Sequence, residues 1–147
     1  MKGTAPPGAR TEREAAAWVR AMFARVAHRY DLANHLLSFN IDRRWRAHTV
    51  RRAGRILRRD GARALDICCG TGDLALAVGE ASSGVVMGSD FCHPMLVAAG
   101  DKIARRRARV PLFEADALRL PLGDASLDLI TVAFGFRNLA NYEAGLQ

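Results

Sequence analysis

A strand that ends in Gly-x-Gly and opens directly into a helix constrains this chain more than any other feature. Residues 64–69 (ALDICC) form a short apolar run, and Gly70-Thr71-Gly72 follows at once. Glycines there let a ligand approach the backbone where a side chain would collide. Beyond the turn the texture alternates. Residues 74–80 read as a helix, 84–88 (GVVMG) as a second strand ending at Asp90, and 94–107 as a helix. Residues 110–113 form a third strand and 127–134 (LDLITVAF) a fourth. Strands alternating with helices at this spacing imply βαβ units and an α/β, doubly wound parallel sheet.

Alone, a Gly-x-Gly turn also serves as a plain strand–helix connection. Its context argues for a ligand. Asp90 closes the second strand 18 residues after Gly72, where a doubly wound sheet sets an acid against ribose hydroxyls. Glu114-Ala115-Asp116-Ala117 puts further carboxylates at the same carboxyl edge. No basic group in these segments balances the acids, which argues against a phosphate ligand. They suit a ligand with a ribose, an adenine amine and a positive centre, a description met by S-adenosylmethionine better than by NAD. NAD keeps a share, because Ala75 stands where G-x-G-x-x-G/A allows alanine.

The first half of the chain is different in charge. Up to Arg63 there are 15 Lys/Arg against 5 Asp/Glu, a net of +10, whereas the remainder holds 7 against 10, a net of −3. Residues 1–12 are small, polar and Pro/Gly-containing and read as a disordered leader, with a mitochondrial presequence opposed by Glu12 and Glu14. Residues 13–61 read as a helical cap. In its first helix Trp18, Met22, Val26 and Tyr30 recur at i+4 with Val19 and Phe23 beside them. In its second, residues 42–59, Trp45, Thr49, Ala53, Ile56 and Leu57 share one side. Arg44, Arg51, Arg52, Arg55, Arg58 and Arg59 fall opposite. Such a face is a solvated surface, a contact for anionic lipid headgroups, or a nucleic-acid patch. No nucleic acid is expected, because the arginines lack interleaved exposed aromatics for base stacking.

Length and composition bound the rest. The 147 residues suit one domain, and 50% hydrophobic with 25% charged residues excludes disordered, collagen-like and coiled-coil classes. The uncharged stretch Phe91–Gly100 falls far short of the roughly 18 apolar residues of a membrane span. With no secretory signal and three cysteines that make no disulfide framework, a cytoplasmic protein is expected.

Asp66-x-Cys68-x-Gly70-x-Gly72 resembles the cofactor motif of class I S-adenosylmethionine-dependent methyltransferases, with Cys68 at a position usually glycine. The wider chain resembles the ubiquinone/menaquinone biosynthesis C-methyltransferases, the demethylmenaquinone methyltransferase type among them. Residues 30–38 (YDLANHLLS) followed by Trp45 match their N-terminal signature, although members often carry Met at Ala33 and His at Asp42. Residues 68–75 (CCGTGDLA), 89–96 (SDFCHPML) and 134–139 (FGFRNL) are also typical. The resemblance implies a Rossmann-like sheet over residues 62–147, with the preceding cap facing substrate and membrane.

By that resemblance Thr71 and the Gly70/Gly72 backbone hold the methionine end of S-adenosyl-L-methionine, Asp90 the ribose, and Asp116 with the Ala117 backbone the adenine, with Asp66 of the motif counted among the cofactor-binding residues. Ala133 stands where members place a serine. The methyl acceptor is a prenylated hydroquinone or naphthohydroquinone, methylated on a ring carbon. The Cys-Cys-Gly-Thr-Gly-Asp turn favours the menaquinone side, demethylmenaquinol to menaquinol, over the ubiquinone side or another small acceptor. Such a carbon becomes nucleophilic only once a neighbouring hydroxyl loses its proton, so the site needs a proton relay and an oxyanion donor. Arg137 and Asn138 sit where members face the substrate, and Tyr30 with Asp31 approaches from the cap. Arg137 is too basic to act as a free base and serves the oxyanion or orders a water. No metal is required, and His28, His35 and His48 form no ligand set. Cys68 and Cys69 read as small buried hydrophobes, and His93 as a helix-start residue.

A complete fold of this class has seven strands, and the sequence supplies four. At about 30 residues per βα unit, three more need about 90 residues. The expectation is a chain truncated after strand four, strand order 3-2-1-4, with catalysis by the chain itself in doubt. Strand four would then be an apolar edge prone to self-association and homo-oligomers. A prenylated quinol dwells in the bilayer, so peripheral contact with the inner membrane face is expected as well.

Overall fold

The computed structural model describes residues 2–27 and 41–146. Helix α1 (Glu12–Val26) begins in a capping box: the Glu14 N–H donates to Thr11 Oγ1 at 3.1 Å, and the Thr11 N–H donates to the Glu14 carboxylate at 3.2 Å. Helix α2 spans Ile41–Leu57, and strand β1 spans Arg63–Ile67. Then come α3 (Asp73–Glu80), β2 (Val85–Asp90), α4 (His93–Arg106), β3 (Leu112–Glu114) and β4 (Leu129–Val132). A short 3₁₀ turn, Phe136–Asn138, follows β4.

The four strands form one parallel sheet in the order β3-β2-β1-β4, the order expected from the sequence. Register places Asp66 opposite both Gly88 and Thr131, and Asp90 opposite Glu114. A parallel sheet carries every strand's carboxyl end to one edge, and the turns after β1, β2, β3 and β4 all meet there. On one face Ala64, Val86 and Leu74 pack with Val78 of α3 and with Ala53 and Leu57 of α2. Helix α1 docks elsewhere, through Phe23 and Ala27 against Cys92 and Met95 at the start of α4.

Three expectations are corrected. The leader does not stand apart: the Thr4 N–H donates to the Leu139 carbonyl at 2.8 Å, and Lys2 bridges Asn141. Backbone pairing with the segment after β4 gives it the order its composition lacks. In α1 the buried line is Ala15 and Val19, whereas Trp18 and Val26 are exposed, so the apolar stripe read at i+4 is not the face the helix turns inward. Strand β4 ends two residues early, at Val132, because Phe134 adopts φ +59° and leaves the pleat. No described helix is long and apolar enough to cross a membrane.

Candidate functional site

The carboxyl edge opens into a cavity of about 1070 Å³, roofed by α1 and floored by the strand-end turns. Gly70, with φ +54°, starts its floor, and its N–H donates to Asp90 Oδ2 at 2.8 Å. The other Asp90 oxygen accepts the Cys92 N–H at 2.9 Å. These two bonds lock the carboxylate at the end of β2 and tie the turn after β1 to it. Burial pushes the Asp90 carboxyl up, opposed by those N–H donors and by the charge of Arg20. Gly72 caps α3 with φ +81°, and a Cβ there would press on Ala99 at 3.2 Å, so glycine meets both the backbone and the packing demand.

Asp66 is buried to 1% exposure beneath this turn. Thr131 Oγ1 donates to its Oδ1 at 2.8 Å across the β1–β4 pair. Burial raises its pKa to about 7, with the Thr131 and Ala75 donors pulling the other way. Thr71 is also buried, and its hydroxyl accepts from Lys102 Nζ at 3.3 Å. Lys102 pairs with Asp73 at 2.7 Å, and Arg46 of α2 reaches the same carboxylate at 3.5 Å and Asp42 at 2.7 Å. Asp66 and Thr71 therefore brace the turn from below, outside the cavity lining. Burial lifts the Cys68 thiol to about 12 and Cys69 higher still, so neither is a thiolate nucleophile near neutrality.

Asp116 and Ala117 line the cavity after β3, and the Asp116 Oδ1 accepts the Leu118 N–H at 3.0 Å. Arg137 and Asn138 line it from the 3₁₀ turn after β4, with Arg137 held by the Tyr142 hydroxyl donating to its carbonyl at 3.1 Å. Tyr30 and Asp31 lie outside the described residues. The structure thus gathers Gly70, Asp90, Asp116, Ala117, Arg137 and Asn138 around one cavity.

A family model described as the ubiE/COQ5 methyltransferase family matches residues 10–147. The chain belongs to this family. It is 49% identical over 126 residues to the demethylmenaquinone methyltransferase of Thermus thermophilus, covering 85% of this chain and 56% of that protein. It is 45% identical over 129 residues to the enzyme of the same name from Deinococcus radiodurans, covering 87% and 52%. The chain therefore spans about half the length of these curated relatives. Among solved structures, a SAM dependent methyltransferase from Aquifex aeolicus superposes with a TM-score of 0.56 at 25% identity, covering 61% of this chain and 49% of that one. The fold is that of class I methyltransferases.

Three features of this ubiE/COQ5 member escaped the sequence. Arg20 of α1 lines the cavity and lies over the Phe91 ring, 5.3 Å from its centroid, so a basic group does approach the acidic edge. It comes from 70 residues before Asp90, and no local pattern announces it. His93 starts α4 as expected, but its Nδ1 also sits 3.0 Å from Glu114 Oε2. Phe134 projects into the cavity on a left-handed backbone that an apolar run does not reveal.

Proposed function

We propose that this protein transfers a methyl group from S-adenosylmethionine to a ring carbon of a prenylated hydroquinone, converting demethylmenaquinol to menaquinol. The observation that carries the reading is one cavity with two chemically distinct walls. Asp90 and Asp116 supply acceptors on one, and Arg137 and Asn138 supply donors on the other.

The residues present fit the cofactor. Asp90 accepts the Gly70 and Cys92 N–H groups on its two oxygens, with the Phe91 N–H as a further donor, and lines the cavity where its remaining acceptor capacity can meet a ribose hydroxyl. Asp116 uses Oδ1 on Leu118 and leaves Oδ2 for an amine such as that of adenine. The turn at Gly70 presents backbone without a side chain. When bound, S-adenosylmethionine supplies an electrophilic methyl on a sulfonium centre. The protein's part is to orient the ring carbon and to stabilise the negative charge that builds on the neighbouring oxygen. Arg137 is suited to that task, being a permanent cation with five N–H donors. A fixed donor at a developing oxyanion is worth about 2.7–4 kcal/mol.

The acceptor dwells in lipid, and α2 carries the surface suited to meet it. Arg44, Arg51, Arg55 and Arg58 are exposed, and among the described residues no salt bridge reaches them. Arg59 departs from this set, pairing with Asp128 at 3.3 Å. The basic half is thereby read as a peripheral contact with an anionic leaflet. A nucleic-acid role draws no support from the relatives, both named as demethylmenaquinone methyltransferases. Ile130 and Val132 stand exposed on β4 at the sheet edge and favour self-association, which light scattering after gel filtration checks.

The test is methyl transfer. Protein incubated with methyl-labelled S-adenosylmethionine and demethylmenaquinol should yield labelled menaquinol, and Arg137→Ala should reduce the rate about 100-fold or more. Label that reaches no prenylated quinol would remove the substrate assignment.

A further inference from the structure

The segment ahead of α1 is tied into the cavity wall that carries Arg137. Lys2 forms a parallel bridge with Asn141. The Thr4 N–H donates to the Leu139 carbonyl at 2.8 Å, and the Tyr142 N–H donates to the Lys2 carbonyl at 3.3 Å. The Lys2 ammonium pairs with the Glu143 carboxylate. Asn141 is also held from α1, its Nδ2 donating to Glu12 Oε1 at 3.2 Å. A Cβ at Gly3 would overlap the Leu139 carbonyl oxygen and stand 2.5 Å from the Ala140 carbonyl carbon. The two backbones thus touch at a distance that only glycine permits.

What these residues hold is a short, irregular stretch. Leu139 follows the 3₁₀ turn Phe136–Asn138 directly, and Arg137, Asn138, Leu139 and Ala140 all line the cavity. A 3₁₀ turn has poorer hydrogen-bond geometry than an α-helix. Among the described residues, the backbone bonds that join residues 136–146 to other segments run to Lys2 and Thr4. Residues 2–4 themselves stay outside the cavity lining. Their composition does not order itself, and a terminal segment is ordered where it is tied down. Donor placement matters most at the reacting centre, where a shift of about 1 Å costs about 100-fold in rate. Asp90 and Asp116 are placed differently, by the ends of β2 and β3. We propose that residues 2–4 form a positioning strap, which fixes the turn carrying Arg137 and Asn138 against the cavity and so sets these donors for methyl transfer. This rests on the methyltransferase reading and deepens it, since that reading assigns the donors and leaves open what fixes them.

Methyl transfer from labelled S-adenosylmethionine to demethylmenaquinol, beside calorimetric titration with S-adenosylhomocysteine, tests the proposal on variants of the 147-residue chain. Gly3→Ala drives the strap off Leu139. A chain lacking residues 2–8 has no strap and keeps the Thr11 cap of α1. Ala5→Ser, at an exposed position beyond the paired residues, is the control. Both strap variants should lose turnover about 10- to 100-fold while S-adenosylhomocysteine affinity is retained. Amide exchange over residues 138–142 should quicken in both, and Ala5→Ser should match the parent. The split between turnover and cofactor affinity is what a merely structural role does not predict. Parallel losses of turnover and affinity in both strap variants overturn the proposal, because the segment then supports the fold as a whole. Equal turnover in the parent and the shortened chain overturns it and leaves the methyltransferase reading standing. A faster shortened chain also overturns it, making the segment an obstructing latch. A parent that binds S-adenosylhomocysteine but methylates no quinol overturns the acceptor reading, and the strap's role in methyl transfer falls with it.

Discussion

Asp66 should make the chain's stability fall as pH rises through the acid range, and Asp66→Asn should remove that dependence. The carboxyl lies at 1% exposure with a folded pKa of about 7 against an ordinary value of 3.8. Between those values the folded state keeps the proton and the unfolded state has lost it, so ∂ΔG/∂pH of unfolding is negative. The contribution is fully present below pH 4, shrinks through the window from about 4 to 7, and is level above. Linkage with these two pKa values gives a loss of about 2–3 kcal/mol between pH 5 and pH 8. Urea denaturation of parent and Asp66→Asn at both pH values isolates the effect, because other titrating groups cancel in the comparison. The parent should lose about 2–3 kcal/mol more than the variant does. Parallel changes in the two proteins would show that Asp66 ionises normally in place, and the account of the braced turn would fail.

Other perturbations probe the same framework. Thr131→Val deletes the hydroxyl that donates to Asp66 at 2.8 Å and should cost about 1–3 kcal/mol in urea denaturation, more at pH 8 than at pH 5. Gly135→Ala sets a methyl 2.3 Å from the Cys68 Cβ and should cost about 1–3 kcal/mol, whereas an unchanged midpoint would mean that the contact relaxes freely. The arginine face contributes about 1 kcal/mol per residue near an anionic leaflet. Co-sedimentation with anionic vesicles at low salt should be lost near 1 M salt, where screening shortens to about 3 Å. Replacing Arg51, Arg55 and Arg58 with Gln should weaken it, and equal sedimentation of that variant and the parent would leave the face a solvated surface.

Much of this architecture was legible because its signals are local. The apolar run before Gly70, the 18-residue interval from Gly72 to Asp90 and the acid after β3 sit on short segments whose geometry the chain dictates itself. Even the glycine usual at the Cys68 position has a visible reason, since that residue takes φ +52°. The Thr11–Glu14 capping box was also there to read and places the start of α1 at Glu12. Other features depend on which partner an element meets. Helical periodicity aligns Trp18 with Val26, but tertiary packing, which the periodicity does not reveal, puts Ala15 and Val19 inside. Lys102 and Asp73 are 29 residues apart and meet only once α4 lies beside α3. Phe134 reads as the last residue of a strand, and its turned backbone follows from the contact of Gly135 with Cys68, a tertiary fact.

The central claim is that the acidic carboxyl edge is an adenosine cradle governed by Asp90, and calorimetric titration with S-adenosylhomocysteine measures it most directly. The parent should bind one equivalent. Asp90→Ala removes a carboxylate that serves the ligand and holds the Gly70 and Cys92 N–H groups, so binding should weaken by at least about 1.5–3 kcal/mol, roughly tenfold to a hundredfold. No binding by the folded parent, or equal affinity in the two proteins, would contradict the account.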